Sequence, residues 1–308
     1  MANFYGSYVG FGSSGGAAPS SHAAGAEKSY QAGGWAPGNV DYITMFTFAS
    51  HGDTSDIGDL STAHSYHGGH SSPTEGFVSC NMVNGTDITK FSLPSGTSSS
   101  SHGDTNSGSY ACGGSSGITH GYTWGGVSND TIQKFAYASN TTGSDVGNID
   151  DGNRRMKDCA DSEVASIAMG GGEPNKYTVQ KVLYASDANS SEIGSVANTT
   201  AEVIAAHANS MTHCYVAGGG ESTKTKNINE MSFASEGASS DSGDLDSTNQ
   251  WGSGTSSKEG YAYVAGSNIS GCYYERYAMA SSTSGSVVGS LISPRSGSSC
   301  AWHSGHQY

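Results

Sequence analysis

The stretch ITMFTFAS, from Ile43 to Ser50, recurs in degenerate form along the whole chain. The other copies are ITKFSLPS ending at Ser95, IQKFAYAS at Ser139, VQKVLYAS at Ser186, INEMSFAS at Ser235 and YERYAMAS at Ser281. Their final serines are 45, 44, 47, 49 and 46 residues apart. A fixed period of this length is typical of repeat architectures, in which one supersecondary unit is copied several times.

Two further patterns occur between successive copies. The first is an aromatic or apolar residue leading into paired glycines: SYQAGG from Ser29, GYTWGG from Gly121, SIAMGG from Ser166 and CYVAGG from Cys214, with weaker copies GFVSCN from Gly76 and AYVAGS from Ala262. The second follows the serine and approximates Asp-x-Gly-Asp-Leu, as in DIGDL from Asp56 and DSGDL from Asp241. The second repeat, around HGDTN from His102, lacks the Asp-x-Gly-Asp-Leu pattern.

Short alternating apolar runs bounded by Gly, Ser, Asn and Asp indicate β-strands joined by tight turns. Several strands per unit of about 45 residues are the spacing of propeller blades, whereas helical repeats need longer stretches of 3.6-residue periodicity. The six paired-glycine segments and six Ala-Ser segments therefore predict an all-β, six-bladed propeller.

The two ends of the chain predict how the ring closes. The repeats begin with a paired-glycine strand and end with SGSSCAWHSGHQY, which matches the small-residue strand that elsewhere precedes such a strand. The C-terminal strand should therefore complete the first blade, and closure of this kind removes exposed strand edges. The predicted organisation is an N-terminal arm over residues 1–22 and a propeller over residues 23–308.

The repeat pattern resembles the kelch family over about residues 28–303: a strand ending in Gly-Gly, a strand of alternating apolar residues, a short outer strand and a small-residue strand. Leu or Ile stands where that family has an outer-strand Trp, and the Arg before the inner strand is clear only at Arg295. The resemblance implies a kelch-like propeller.

Composition excludes several partners. The chain has 13 basic and 27 acidic residues and a formal charge of −14, which disfavours nucleic acid because its binding depends on neutralising phosphates. No run approaches the roughly 20 apolar residues of a membrane span, and the first residues lack the basic start and apolar stretch of a signal peptide. We therefore predict no nucleic acid partner, no membrane insertion and no secretion signal.

Candidate metal ligands are few. His64, His67 and His70 lie three residues apart, but on a regular strand only His64 and His70 share a side, so a polar channel or loop is the alternative to a metal site. The six cysteines are 28 to 58 residues apart and form no CxxC pair, which predicts free, semi-buried thiols. We predict no metal and no cofactor.

Catalytic motifs are also weak. The SDIGDL and SDVGNI segments approach the sialidase Asp-box, but a sialidase needs three arginines on the substrate carboxylate, and this chain has only Arg154, Arg155, Arg276 and Arg295. Turn formation is the simpler role for these Asp and Gly residues. No nucleophile motif or phosphate-binding loop is present, so we predict that the protein is not an enzyme.

The N-terminal arm, MANFYGSYVGFGSSGGAAPSS, resembles the openings of structural proteins of marine bacteriophages, especially cyanophages, whose tail-fibre-like proteins also carry degenerate repeats of the FAS, DxGDL and GYxxGG type. The resemblance implies a virion structural protein, at the tail-fibre or tail tip, that serves in host attachment. A kelch-type interaction adaptor, or a glycan-active enzyme, is the alternative.

These resemblances lead to two sets of candidate residues. We predict that the arm docks onto other tail or capsid proteins through its aromatic residues, Phe4, Tyr5, Tyr8 and Phe11. A host surface glycan or protein is the second expected partner, and it should meet loops at one end of the ring. The aromatic residues predicted to stack on sugars there, or otherwise to pack between blades, are Tyr66, Trp124 and Trp251.

Overall fold

The computed structural model confirms a six-bladed β-propeller. It describes residues 27–35, 38–82, 85–93, 95, 99–150, 159–162, 164–171, 177–197, 206–220, 224–249, 252–257, 259–265, 273–281, 284–292 and, for the backbone alone, 301–304. These residues form 24 strands in six antiparallel sheets of four, and no α-helix.

Each sheet is one blade, and its strands are given from the propeller axis outward. The first blade contains β24 (Ala301–Ser304), β1 (Lys28–Ala32), β2 (Val40–Thr47) and β3 (Ser55–His64). The second contains β4 (Gly68–Ser71), β5 (Glu75–Ser79), β6 (Asp87–Ser92) and β7 (Ser100–Asp104). The third contains β8 (Gly113–Ser116), β9 (His120–Trp124), β10 (Thr131–Ala136) and β11 (Ser144–Asn148).

The remaining blades repeat this order. The fourth contains β12 (Ala160–Asp161), β13 (Ala165–Met169), β14 (Thr178–Leu183) and β15 (Ser191–Ser195). The fifth contains β16 (Ala206–Asn209), β17 (His213–Ala217), β18 (Thr225–Ser232) and β19 (Ser240–Asn249). The sixth contains β20 (Ser253–Ser256), β21 (Tyr261–Ala265), β22 (Tyr273–Ala278) and β23 (Ser286–Ser290).

The predicted closure is confirmed, since β24 pairs antiparallel with β1, with Ala301 opposite Ala32 and Ser304 opposite Ser29. The first blade thus joins the two ends of the repeat region. Backbone bonds from blade 1 to blade 6 complete the circle, because the Thr54 amide donates to the Ser290 carbonyl at 2.9 Å.

The apolar core is divided among the blade interfaces. Consecutive residues of a strand face opposite neighbours, so Val78 packs against the first blade while Phe77 packs against the third. Six clusters result, one between each pair of adjacent blades, and the cluster of Phe46, Phe48 and Tyr263 lies where the last blade meets the first. Each blade therefore buries both faces only when both neighbours are present.

A β-bulge at the third strand explains the Asp-x-Gly pattern. In all six blades the pairing register between the third and fourth strands shifts after the first residue of the Ile-x-x-Phe motif. That residue lies opposite a glycine of the fourth strand. In three blades the Asp carboxylate accepts a hydrogen bond from this glycine's amide, as Asp56 does from Gly58 at 3.1 Å. The second repeat keeps the bulge at Gly103, whose amide donates instead to the Ser101 hydroxyl at 3.4 Å.

The bulge glycine is also where neighbouring blades touch. A Cβ atom on Gly194 would lie 1.7 Å from the carbonyl oxygen of Gly237 in the next blade, and one on Gly289 would lie 1.9 Å from that of Gly52. Backbone atoms cannot move aside as a flexible side chain can, so any larger residue would force the blades apart.

A second set of contacts links the innermost strands. The amide of Ser71 donates to the hydroxyl of Ser116 at 3.0 Å, and the amide of Ser116 donates to the carboxylate of Asp161 at 3.1 Å. The amide of Asn209 donates likewise to the hydroxyl of Ser256 at 3.0 Å. Each is the last residue of an inner strand, so a polar side chain on one blade satisfies the free amide of the blade before it.

A third contact joins the third strand of one blade to the hairpin of the next. The hairpin residue has a left-handed φ between 42° and 53° and faces a basic side chain. The pairs are Lys134 with Asp187, Lys181 with Glu236 and Arg276 with His51. The last pair, at the closing interface, replaces the carboxylate by an imidazole, whose Nε2 lies 3.1 Å from the Arg276 guanidinium.

The two ends of the ring differ. At the turn end, connections join first to second strands, such as residues 72–74, and third to fourth strands, such as residues 48–54. At the loop end, connections join second to third strands, such as residues 33–39, and one blade to the next, such as residues 65–67 and 105–112.

We expect deletion of residues 296–308 to destabilise the propeller severely, because it removes β24 and exposes the edge of β1. Thermal unfolding should occur far below the temperature of the full chain, with aggregation. Deletion of residues 305–308, which follow β24, is the matched control and should leave the unfolding temperature within a few degrees. Equal stability of the two truncated chains would contradict closure by β24.

Candidate ligand-binding site

Of the three aromatic residues predicted to contact a ligand, Tyr66 lies at the loop end and is partly exposed. It connects β3 to β4 and has a φ of 56°. The left-handed region is unfavourable for a bulky side chain, and strain of this kind is held only where surrounding contacts enforce it. The same φ of 56° recurs at Ala111, two residues before β8, so this conformation belongs to the connection between blades.

Tyr66 belongs to an aromatic cluster with Trp35 and Tyr110. Its ring centroid lies 6.4 Å from that of Trp35 and 6.3 Å from that of Tyr110, the latter edge-to-face. Trp35 is partly exposed and Tyr110 is 37% exposed. Trp35 follows β1 and Tyr110 precedes β8, so connections from three consecutive blades bring the three rings together.

Backbone hydrogen bonds hold the aromatic cluster rigidly. The Tyr66 carbonyl accepts from the Ala111 amide at 2.6 Å, and the Tyr110 carbonyl accepts from the Val127 amide at 2.8 Å. Trp35 forms an isolated β-bridge with Asn39. The Asn39 amide oxygen accepts a hydrogen bond from the Ser65 hydroxyl, which ties the loop of Trp35 to the connection that carries Tyr66. The rings therefore form a preorganised surface with polar groups at its edge.

The predicted ligand-contact role of Trp124 is wrong. Trp124 is fully buried, packs between the third and fourth blades, and its indole N–H donates to the Ser115 hydroxyl at 3.3 Å. Trp124 packs between blades, which is the alternative that the sequence left open for this residue. Trp251 lies outside the described residues, but it stands two residues before β20, as Tyr66 stands two residues before β4.

Trp35 and Tyr110 were missed because no motif marks them. The signal that was present is positional: Trp35 directly follows the SYQAGG segment, and Tyr110 lies in the connection before an inner strand. Both positions belong to the same end of a propeller once the strand order is known. The aromatic residues of the N-terminal arm, Phe4, Tyr5, Tyr8 and Phe11, lie outside the described residues.

The segment that carries His64, His67 and His70 is not a regular strand. The chain bends at Tyr66, so the rings of His64 and His67 meet edge-to-face with centroids 5.8 Å apart. His70 points to the third blade, where its Nδ1 lies 2.9 Å from the Ser115 carbonyl oxygen. Within the described ranges, no three His, Cys, Asp or Glu side chains are grouped to hold a metal.

The imidazoles of His64 and His70 are held neutral. His64 places Nδ1 3.1 Å from the Cys80 carbonyl and Nε2 3.1 Å from the Thr89 hydroxyl, while His70 Nε2 lies 2.6 Å from the Ser79 hydroxyl. A ring that donates from one nitrogen and accepts at the other is uncharged. Burial lowers the pKa of His64 to about 4 and that of His70 to about 4.

The cysteines are more deeply buried than expected. Four are free and buried, namely Cys80, Cys112, Cys159 and Cys214. Burial raises the pKa of Cys214 to about 12, and a hydrogen bond with Cys80 together with burial raises that of Cys112. Thiols of this kind are protonated at neutral pH and are poor nucleophiles. Cys272 and Cys300 lie outside the described residues.

Among the described residues, the inner strands line a cavity of about 30 Å³ between His70, Asp161, His207 and Asn209, which has room for about one water molecule. Of the four arginines, Arg276 is described, and its guanidinium lies 4.5 Å from the ring centroid of Tyr261. In the part of the chain that the structure describes, no helix is long and apolar enough to span a membrane.

No protein-family model matches this chain, and no curated protein matches its sequence.

We expect stability to fall as the pH is lowered from 7 to 5. The folded-state pKa of His64 and His70 lies below the unfolded value of about 6.5, so protonation favours the unfolded chain. Stability is complete above about pH 7, and each histidine should cost about 2 kcal/mol at pH 5. Denaturant unfolding at several pH values measures this.

The variant carrying His64→Gln and His70→Gln should show a much shallower pH dependence, even if it is less stable at pH 7. The half-exposed His213, changed to Gln, is the control and should keep the full pH dependence. An unaltered slope in the double variant would contradict the assignment.

Proposed function

We propose that this protein is a non-catalytic adhesion propeller that binds carbohydrate through the aromatic cluster of Trp35, Tyr66 and Tyr110. The observation that carries the proposal is this cluster: three exposed or partly exposed rings that three separate connections bring together at the loop end. Contiguous exposed apolar patches often mark binding sites.

The chemistry of the cluster favours a sugar ligand. Trp and Tyr present large apolar faces with a polar edge, and rigid aromatic side chains lose little conformational entropy on contact. The C–H faces of a pyranose can pack on such rings while its hydroxyls bond the partly exposed side-chain amide of Asn39 beside them. The charge of −14 disfavours sulfated or phosphorylated sugars, so we propose a neutral or amino-bearing glycan.

We further propose that the propeller is a structural component of a bacteriophage particle, at the tail fibre or tail tip, of kelch-like architecture. The support is the resemblance of the arm and of the FAS, DxGDL and GYxxGG repeats to cyanophage structural proteins. The arrangement of the molecule is compatible with this role, because β1 begins at the turn end and the aromatic cluster lies at the loop end. An arm attached to a particle would then present the cluster outward.

We expect a glycan array probed with the full-length protein to identify a ligand, and Trp35→Ala or Tyr110→Ala to weaken its binding about tenfold or more by calorimetry. Tyr66→Asn should do the same without loss of stability, since Asn tolerates the left-handed conformation. Met82→Ala, at another exposed apolar residue of the loop end, is the control. Undiminished binding by all three cluster variants would refute the site.

The particle role has a separate test. Deletion of residues 1–21, which precede β1, should leave the unfolding temperature nearly unchanged but prevent incorporation into the particle, which density on intact particles or immunogold labelling would show. An arm deletion that unfolds the propeller would contradict the proposed division of roles. Recovery of the full-length protein only from host cytosol would favour the adaptor.

A further inference from the structure

Exposed aliphatic side chains are grouped at the turn end, opposite the aromatic cluster. Ile118, Val164 and Met211 stand at the tips of the turns between first and second strands in the third, fourth and fifth blades, and they are 43%, 62% and 72% exposed. Leu183, at the end of β14 beside Val164, is 44% exposed. These four residues, called here the aliphatic crescent, span three consecutive blades.

Two depressions flank the aliphatic crescent. One, of about 340 Å³, lies between the third and fourth blades and is lined by Ile118, His120, Lys134 and Tyr184, among others. The other, of about 350 Å³, lies between the fifth and sixth blades and is lined by His213, Glu230 and Met279, among others. Each is large enough to receive an aromatic side chain.

The same short motif builds both depressions. Thr119-His120-Gly121-Tyr122 and Thr212-His213-Cys214-Tyr215 occupy equivalent positions at the start of the second strand. In each, the threonine hydroxyl lies 2.8 Å from the histidine Nδ1, which fixes the imidazole at the rim. The turn end therefore carries two similar depressions, separated by the exposed aliphatic tip of the fourth blade.

A candidate occupant begins at this same end. β1 starts at Lys28, and the Glu27 carbonyl accepts from the Phe48 amide at 2.9 Å, which places the start of the described chain beside a turn-end hairpin. The 26 residues before it contain Phe4, Tyr5, Tyr8 and Phe11 and no Asp, Glu, Lys or Arg. An uncharged aromatic segment can lie on this acidic protein without charge repulsion.

The linker has a suitable length. The first and fourth blades face each other across the axis, and strands within a blade are about 4.8 Å apart, so the path from β1 to the aliphatic crescent is roughly 20 Å. Residues 12–26 are 15 residues rich in Gly, Ser and Ala that join this segment to Glu27. A flexible Gly- and Ser-rich chain of this length has a root-mean-square length of about 20 Å. Tethering is most effective when these two lengths agree.

We propose that residues 4–11 dock onto the aliphatic crescent of their own molecule, with aromatic side chains in the two flanking depressions. The segment covers the apolar surface of the free chain, and the cost of ordering it is reduced because tethering supplies a millimolar effective concentration. The inference concerns the isolated protein and does not depend on the glycan site. The aromatic residues proposed to bind the particle are thereby held at the turn end before assembly.

Photo-cross-linking of the full-length protein tests the proposal. With p-benzoyl-phenylalanine in place of Tyr8, we expect an intramolecular cross-link in the monomer to peptides containing residues 117–122, 183–185 or 210–215, identified by mass spectrometry. The variant carrying Val164→Asp and Met211→Asp should lower its yield about tenfold, since burial of an unpaired carboxylate is unfavourable. Met82→Asp, at an exposed methionine of the loop end, is the matched control.

Three results would overturn the inference: cross-links confined to the loop end or outer strands, no cross-link at all, or an unchanged yield in the double aspartate variant. Cross-linked dimers in place of monomers would assign the aliphatic crescent to a second copy instead. Far-ultraviolet circular dichroism and the unfolding temperature of each variant establish that the propeller is folded. None of these outcomes depends on glycan binding, so the two proposals fail separately.

Discussion

Burial of apolar side chains between blades is the interaction on which the rest of this structure depends. A single four-stranded sheet of this protein has apolar residues on both faces, and each face finds cover only against an adjacent sheet. The six apolar clusters are accordingly distributed one per interface, including the interface that closes the ring. This arrangement allows a chain with only 34% hydrophobic residues to form a core, because many small interfaces replace one large one.

The residues that make the repeats recognisable serve the contacts between blades. The Asp of the Asp-x-Gly pattern bonds the bulge glycine, and that glycine has no side chain because the next hairpin lies against it. At three interfaces, the polar residue that ends an inner strand accepts a hydrogen bond from an amide on the neighbouring blade. These roles account for repeated Asp, Gly and Ser without catalysis, and they explain why motifs that approach those of enzymes occur here as turn and bulge chemistry.

The two ends of the ring have different surfaces because different strand connections lie at each end. Strand connections alternate between the ends, so each end collects its own set of connections. The turns between first and second strands expose aliphatic tips, whereas the connections at the loop end bring Trp35, Tyr66 and Tyr110 into one cluster. Connections held on a rigid scaffold are suited to recognition, and we propose that the other end serves for attachment.

The sequence alone determined the fold to the level of blade number, strand order and closure, because a 45-residue period and alternating apolar residues report local strand geometry directly. It also singled out Tyr66, which the structure places at the loop end. It could not separate Tyr66 from Trp124, since both are aromatic residues of the repeats, and only the strand register shows that Trp124 faces a neighbouring blade. The pairing of His64 with His67 likewise follows from a left-handed bend at Tyr66 that residue spacing does not reveal. Trp35, Tyr66 and Tyr110 are separated by 31 and 44 residues, and they meet only because the ring places successive connections side by side.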